Sequence, residues 1–279
     1  MSRYDWRVVE APPPCGVAIA ATPTLRRVVA DNPGPMTGNG TNTWIVDHAD
    51  GGCAVIDPGV ADDAHLDAVQ RALNGRPLTH IILTHTHHDH LDGAAPLSRR
   101  TGAPIHAWHR SAEPAFTPDV GLHDLDLVAG LRVLHTPGHA TDHICLQTTD
   151  GVILTGDHVM GWSTTLIPPA PHGSVQMFLD SMERLLRCRP RLLLSAHGPV
   201  IEQPETCMRG LIEHRLSRHE SIAALLLPSP RTPEQIVDAA YHRLRPGLRR
   251  AALLNLRAHL EKLRDDGRAV QAGDTWAHA

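Results

Sequence analysis

Apolar residues along this chain fall in short runs bounded by glycine, proline or aspartate. "TNTWIVD" (41–47), "GGCAVIDPG" (51–59) and "THIILTH" (79–85) are rich in β-formers and predict strands. Between the last two, "ADDAHLDAVQRAL" (61–73) places Leu66, Val69 and Leu73 on one side of a helix. Further strand-like runs follow at "APIHAW", "LRVLHT", "HICLQTT", "GVILTGD" and "PRLLLSAHG", with a helix predicted from about 174 to 188. This order predicts an α/β sandwich rather than a single doubly wound sheet.

The pattern changes near the C-terminus. In "RTPEQIVDAAYHRL" (231–244), Thr232 is an N-cap, Pro233 takes the first helical position and Gln235 completes a capping box. Ile236, Val237, Ala240, Tyr241 and Leu244 form the apolar face of that helix. A second helix, about Leu248 to Asp266, carries Leu253, Leu256, Leu260 and Leu263 and ends at Gly267. "RAVQAGDTW" then predicts a short hairpin. Arg250, Arg257 and Arg264 recur every seven residues beside the apolar stripe. Charge follows the same division. Residues 208–279 hold 12 Lys and Arg against 8 Asp and Glu, whereas residues 1–207 hold 14 against 22. Two modules, 1–207 and 208–279, are expected, with balances of −8 and +4 respectively.

Composition narrows the class. Of 279 residues, 42% are apolar and 20% charged, as in ordinary globular proteins. The sequence shows neither a run long and apolar enough to span a membrane nor an N-terminal apolar core of a secretion signal, so a cytoplasmic location with no membrane partner is expected. Five cysteines, Cys15, Cys53, Cys145, Cys188 and Cys207, are scattered without a C-x-x-C pair, which argues against a thiolate zinc site and a disulfide framework.

Histidine is the unusual residue, with 21 copies. The densest cluster, His85-Thr86-His87-His88-Asp89-His90, follows a predicted strand over Thr79–Thr84. In an extended chain His85 and His87 share a face, so both imidazoles can reach one ion. Asp89 and His90 come just before a helix predicted at Gly93–Arg100, and a turn there aims them at a second ion. Three later strand ends each deliver one more ligand: His139 after "LRVLHTPG", Asp157 ending "GVILTGD", and His197 after "RLLLSA". Zinc favours imidazole nitrogen and carboxylate oxygen, and a catalytic site keeps a position open for water. Manganese or iron suits the same donors. Alternation turns His88 away from this set. His80, His106, His109, His123, His135, His143 and His172 carry no spacing signal and read as ordinary surface or core histidines, whereas His158 adjoins Asp157 and a pocket role stays open.

"THTHHDH", "TPGHA", "TGD" and "AHG", in this order, resemble the metallo-β-lactamase-fold hydrolases across roughly residues 20 to 205. The resemblance implies an αββα sandwich with the metals at one edge. It implies His85, His87 and His139 on one ion, Asp89, His90 and His197 on a second, and Asp157 bridging both. Asp57, in "VIDPG", matches the family's supporting acid beneath the histidine loop. "GTNTWIVD", "GDHVMGWSTTLIPP" and "AHGPVI" are similar to the lactamase-β-like subgroup, whose members carry a small C-terminal winged-helix domain. The helix–helix–hairpin order of the second module agrees with it. Ser195-Ala196 replaces the subgroup's usual proline-glycine before the last histidine and leaves every ligand in place.

Two divalent ions, expected to be zinc, hold and activate a bridging hydroxide for attack on an ester, thioester, lactone or phosphodiester. Asp89 is the expected catalytic proton carrier to the leaving group. The presence of Asp157 argues against a true β-lactamase. The substrate is a small molecule or RNA, and a homodimer is compatible with the second module. An endoribonuclease acting on single-stranded RNA is the alternative, although only 39 residues separate Asp157 from His197, leaving no room for the large helical insert of the RNA-processing branch. A non-catalytic metal-binding DNA regulator is disfavoured because it needs no open water site. A glyoxalase-like thioesterase is disfavoured by the winged helix, and a flavodiiron oxidoreductase by the lack of a flavin domain. The arginine strip is read as a solvated face or a lid in preference to a phosphate-binding surface, since +4 is a modest balance.

Overall fold

The computed structural model describes residues 5–241, 244 and 247–279. Among them, seven strands form one sheet in the order β1 (Ala18–Thr22), β2 (Leu25–Val29), β3 (Asn42–Asp47), β4 (Cys53–Ile56), β5 (Leu78–Ile82), β6 (Ile105–Trp108) and β7 (Val120–Leu122). β1 to β4 are antiparallel, and β4 to β7 run parallel. Parallel neighbours need crossovers. α1 (Asp63–Ala72) supplies the first, and α2 (His88–Leu91) with α3 (Ala94–Thr101) the second.

The other sheet contains β8 (Leu127–Val128), β9 (Leu131–His135), β10 (Ile144–Gln147), β11 (Val152–Gly156) and β12 (Leu192–Ser195), in the order β12-β11-β10-β9-β8. α4 (Val175–Arg187) crosses between the parallel pair β11 and β12.

Period-two alternation builds the layers. Trp44, Val46, Ala54, Ile56, Ile144, Leu146, Val152 and Leu154 point between the sheets. Their neighbours turn outward: Ile45 and Val55 pack under α1 and α3, while Cys145 and Ile153 pack under α4. The result is the expected αββα sandwich. The five cysteines are all free thiols.

The C-terminal part contains α5 (Pro204–Leu225), α6 (Pro233–Ala240), α7 (Arg249–Asp265) and the hairpin β13 (Ala269–Ala272) with β14 (Thr275–His278). Thr232 and Gln235 form both bonds of the capping box. α6 ends at Ala240, shorter than the expected run to Leu244; His242 and Arg243 lie outside the described residues. The 207/208 boundary expected from the sequence falls inside α5. Cys207, Met208 and Leu211 on its first half pack into the core with Phe178 and Met182, while Ile222, Ala223 and Leu226 on its second half pack with Ile236, Leu256 and Leu260. Among the described residues, no helix is long and apolar enough to cross a membrane.

Where α5 meets α7, His219 and His259 are buried with their Nδ1 atoms 3.2 Å apart. Burial, with Arg215 nearby, pushes the His259 imidazole down to about 2. The unfolded chain binds a proton there below the ordinary value near 6.5, whereas the folded chain does not. Stability is therefore intact above that pH and falls as the pH drops toward the folded value. For one such histidine the loss between pH 7 and pH 5 is about 2 kcal/mol. His259→Leu should shrink the pH 7-to-5 difference in unfolding free energy by about that amount in urea melts; an undiminished difference would mean that His259 titrates normally in the fold.

Candidate metal centre

Each element that reaches this edge of the sandwich ends in a turn that its own residues dictate. After β5, Leu83 still bonds through its backbone N–H to His106, and the chain bends at Thr84–His85 before entering α2. Gly138 precedes His139 at φ +145°, and a Cβ there would lie 2.5 Å from the Phe178 backbone at the start of α4. Gly156 precedes Asp157 at φ +50°, where a Cβ would meet His143 Nε2 at 2.6 Å and Thr84 Oγ1 at 2.7 Å. Only glycine fits these two corners.

Seven side chains converge. His85 Nε2 and His139 Nε2 lie 2.9 and 3.0 Å from His87 Nδ1. His90 Nε2 lies 3.7 Å from Asp89 and 3.6 Å from Asp157 Oδ1. His197 Nε2 lies 3.2 Å from both Asp89 and Asp157 Oδ1. The other oxygen of Asp157, Oδ2, is 3.5 Å from His139 Nε2. One carboxylate thus faces two groups of histidines with different oxygens. Three overlapping trios have donor atoms close enough to share an ion: His85, His87 and His139; His85, His90 and Asp157; and Asp89, His90 and His197.

The nitrogens that do not converge are tied back. His90 Nδ1–H donates to Asp57 at 3.0 Å, and His139 Nδ1–H to the Leu166 carbonyl at 2.6 Å. His85 Nδ1 meets Thr84 Oγ1 at 3.1 Å, and His197 Nδ1 meets the Gly40 carbonyl at 3.3 Å. Each bond selects the tautomer that leaves Nε2 with its lone pair toward the centre. Asp57 supports the whole loop. Its carboxylate accepts from the Thr84 backbone N–H and hydroxyl, both at 2.7 Å, as well as from His90.

The converging atoms do not satisfy each other. His90 Nε2, His197 Nε2 and Asp157 Oδ1 are buried without a hydrogen bond. Such orphans are rare and costly in a folded interior. Burial and the imidazoles of His90 and His87 hold His85 well below the usual imidazole range. Burial and His139 push His87 down to about 3. On the opposite side burial is outweighed: Asp89, Asp57 and Asp157 raise His90 well above its usual value, and His90 and His197 lower Asp89 to about 2. The trio with His87 therefore offers neutral lone pairs, whereas the carboxylates around His90 and His197 favour positive charge at that end, as a proton or a cation. The donor set suits divalent cations.

Other side chains hold this arrangement, and spacing in the sequence did not single them out. His143 is buried and accepts from the Asp157 backbone N–H at 3.2 Å, while its Nδ1 meets Thr136 at 3.0 Å. Asn42 donates to the carbonyls of Ser195 and Gly198, fixing the turn around His197. Trp44 Nε1–H adds a bond to Ser195. Asp142 takes the Thr86 hydroxyl at 2.6 Å and turns that side chain away from the centre. His88 points to solvent, as alternation required. His158 is fully buried against Phe178, and burial pushes it down to about 3, so it lies behind the centre and not in a pocket.

Similarity to known proteins agrees with this geometry. Residues 36–197 match the metallo-beta-lactamase superfamily model, and residues 232–276 match that of the beta-lactamase associated winged helix domain. Beta-lactamase-like protein 2 homolog of Drosophila melanogaster is 30% identical, covering 88% of this chain and 90% of its own. An atrochrysone carboxyl ACP thioesterase of Claviceps purpurea is 29% identical over 74% of this chain, which spans 66% of that protein's length. A beta-lactamase domain protein from Burkholderia ambifaria, solved by crystallography, superposes with a TM-score of 0.83 at 23% identity, covering 99% of this chain and 97% of its own. The chain belongs to the metallo-beta-lactamase superfamily, as a metal-dependent hydrolase that carries the family's associated winged helix domain.

Proposed function

We propose that the protein hydrolyses an acyl thioester at a centre for two divalent ions. The observation that carries this reading is the placement of Asp157, whose two carboxylate oxygens face different histidine groups. In this reading His85, His87 and His139 would hold one ion, Asp89, His90 and His197 would hold the other, and Asp157 would serve both. Zinc fits these nitrogen and oxygen donors, as do manganese and iron. When bound, two such ions supply Lewis acidity and make water nucleophilic near neutral pH.

The chain's own residues orient and move protons. Asp157 and the four tied-back histidines fix where the ions sit. Asp89 is more exposed than Asp157, and His90 and His197 beside it keep its carboxylate ionised at neutral pH. It takes the proton released on attack and passes it to the departing thiolate. The choice of a thioester is supported by the thioesterase among the relatives, whose own substrate is not carried over. RNA cleavage is the second reading. It is weakened because Arg257 lies near Glu234 and Asp274, and Arg264 pairs with Asp265, so two of the three strip arginines already face carboxylates.

His87→Ala and Asp157→Ala should each abolish turnover of a chromogenic thioester and lower the metal content from two ions per chain. Elemental analysis that still finds two ions in Asp157→Ala would remove its bridging role. Screening a thioester and a phosphodiester side by side decides the substrate class, and turnover of the phosphodiester alone would reject the thioester.

Asp57→Asn should keep the fold and lower metal affinity or turnover about 10–100-fold, since a neutral amide holds the His90 tautomer less firmly. A competition titration with a metal chelator measures this directly. Unchanged affinity would show that the buried hydrogen bonds of Asp57 serve the loop alone.

A further inference from the structure

A buried guanidinium is normally matched by a carboxylate, because an uncompensated charge is expensive away from water. Arg215, on α5, breaks that rule. Arg215 is 3% exposed, and among the described residues its guanidinium bonds only to neutral oxygens, the Asn255 side chain at 2.8 Å and the Thr165 carbonyl at 2.5 Å. Its other neighbour is the Phe178 ring, 5.2 Å from the guanidinium carbon. Burial pushes it down to about 10, so it remains charged at neutral pH.

Arg215 lines a cleft of about 510 Å³ between the loop Met160–Leu166 and helices α5 and α7. Arg218 and Arg7 line it too. Arg218 lies over the Tyr241 ring and Arg7 over Trp6, and among the described residues neither pairs with a carboxylate. No Asp or Glu is among the described residues lining the cleft. Two further polar atoms on its walls, Trp162 Nε1 and His214 Nδ1, are buried without a hydrogen bond. Three cations and an unused indole N–H, with no acid, make a receptor for an oxyanion.

The cleft shares its floor with the metal centre. Thr165 accepts from Arg215 through its carbonyl and donates through its hydroxyl to the Asp157 carbonyl at 2.7 Å. The next residue, Leu166, accepts from His139. One short loop therefore separates the arginines from the ligands.

We propose that this cleft is an anion-binding subsite in which Arg215, Arg218 and Arg7 hold a phosphate or carboxylate group carried by the substrate. What carries the anion rests on the thioester reading; the subsite itself rests on the arginines. A phosphate belongs to the thiol half of a thioester and a carboxylate to the acyl half, and both present the same paired oxygens to a guanidinium.

The test uses the metal-loaded full chain, with Arg218→Gln and Arg7→Gln as variants. Both positions are more exposed than Arg215, so the fold does not depend on them as it does on Arg215. Inorganic phosphate binding is measured by calorimetry. Turnover is compared for one acyl group on a phosphorylated thiol, the same acyl group on a neutral thiol, and an acyl chain ending in a carboxylate on the neutral thiol. The expected result is at least tenfold weaker phosphate binding in each variant. At least one charged substrate should also lose its kcat/KM advantage over the neutral one by a similar factor, and which one loses it identifies the source of the anion. Equal phosphate affinity and an unchanged preference in both variants would overturn the subsite, even if thioesters are hydrolysed. Phosphate binding that depends on these arginines, with no thioester turned over, would uphold the subsite and reject the thioester. Loss of single-stranded RNA binding in the variants, with no effect on either small anion, would overturn the proposal and assign the cleft to a nucleic-acid backbone.

Discussion

The organising constraint is the burial of lone pairs that face one another. Four imidazoles present Nε2 to a common centre because a hydrogen bond on the opposite side of each ring leaves them no alternative. That arrangement is unfavourable by itself, since donor atoms 2.9 to 3.7 Å apart repel or go unsatisfied without a cation or proton among them. The sandwich, its parallel crossovers and its glycine corners serve to hold this arrangement at one edge. Asp57 is central because a single carboxylate ties the end of β5 to His90.

The ligands were legible because each follows an apolar run and a turn, and strand geometry fixes which neighbours share a face. The supporting residues were not. His143 and Asn42 act across 14 and 153 positions of chain, so no local pattern marks them. His143 looked like one of many unremarkable histidines until its contact with the Asp157 backbone was visible.

Most strands were also legible, because the inward and outward faces of both sheets are buried in step with the residue period. Helix α5 was not, although it is the longest helix described. Its apolar residues face one core near Met208 and a different core near Ile222, so no single stripe runs along it. Periodicity reports a helix with one buried face and is silent about one that changes faces midway. The same property explains why a charge boundary at 207 cuts through a continuous element.

The large cleft beside the metal centre draws its walls from a catalytic-domain loop, α5 and α7, while the ligands come from strand ends and α2. The residues that line the cleft and those that face the metal centre thus come largely from separate stretches of chain, joined through Thr165 and Leu166. Substitutions in α5 or α7 can reshape what the cleft admits without touching a ligand to the ions.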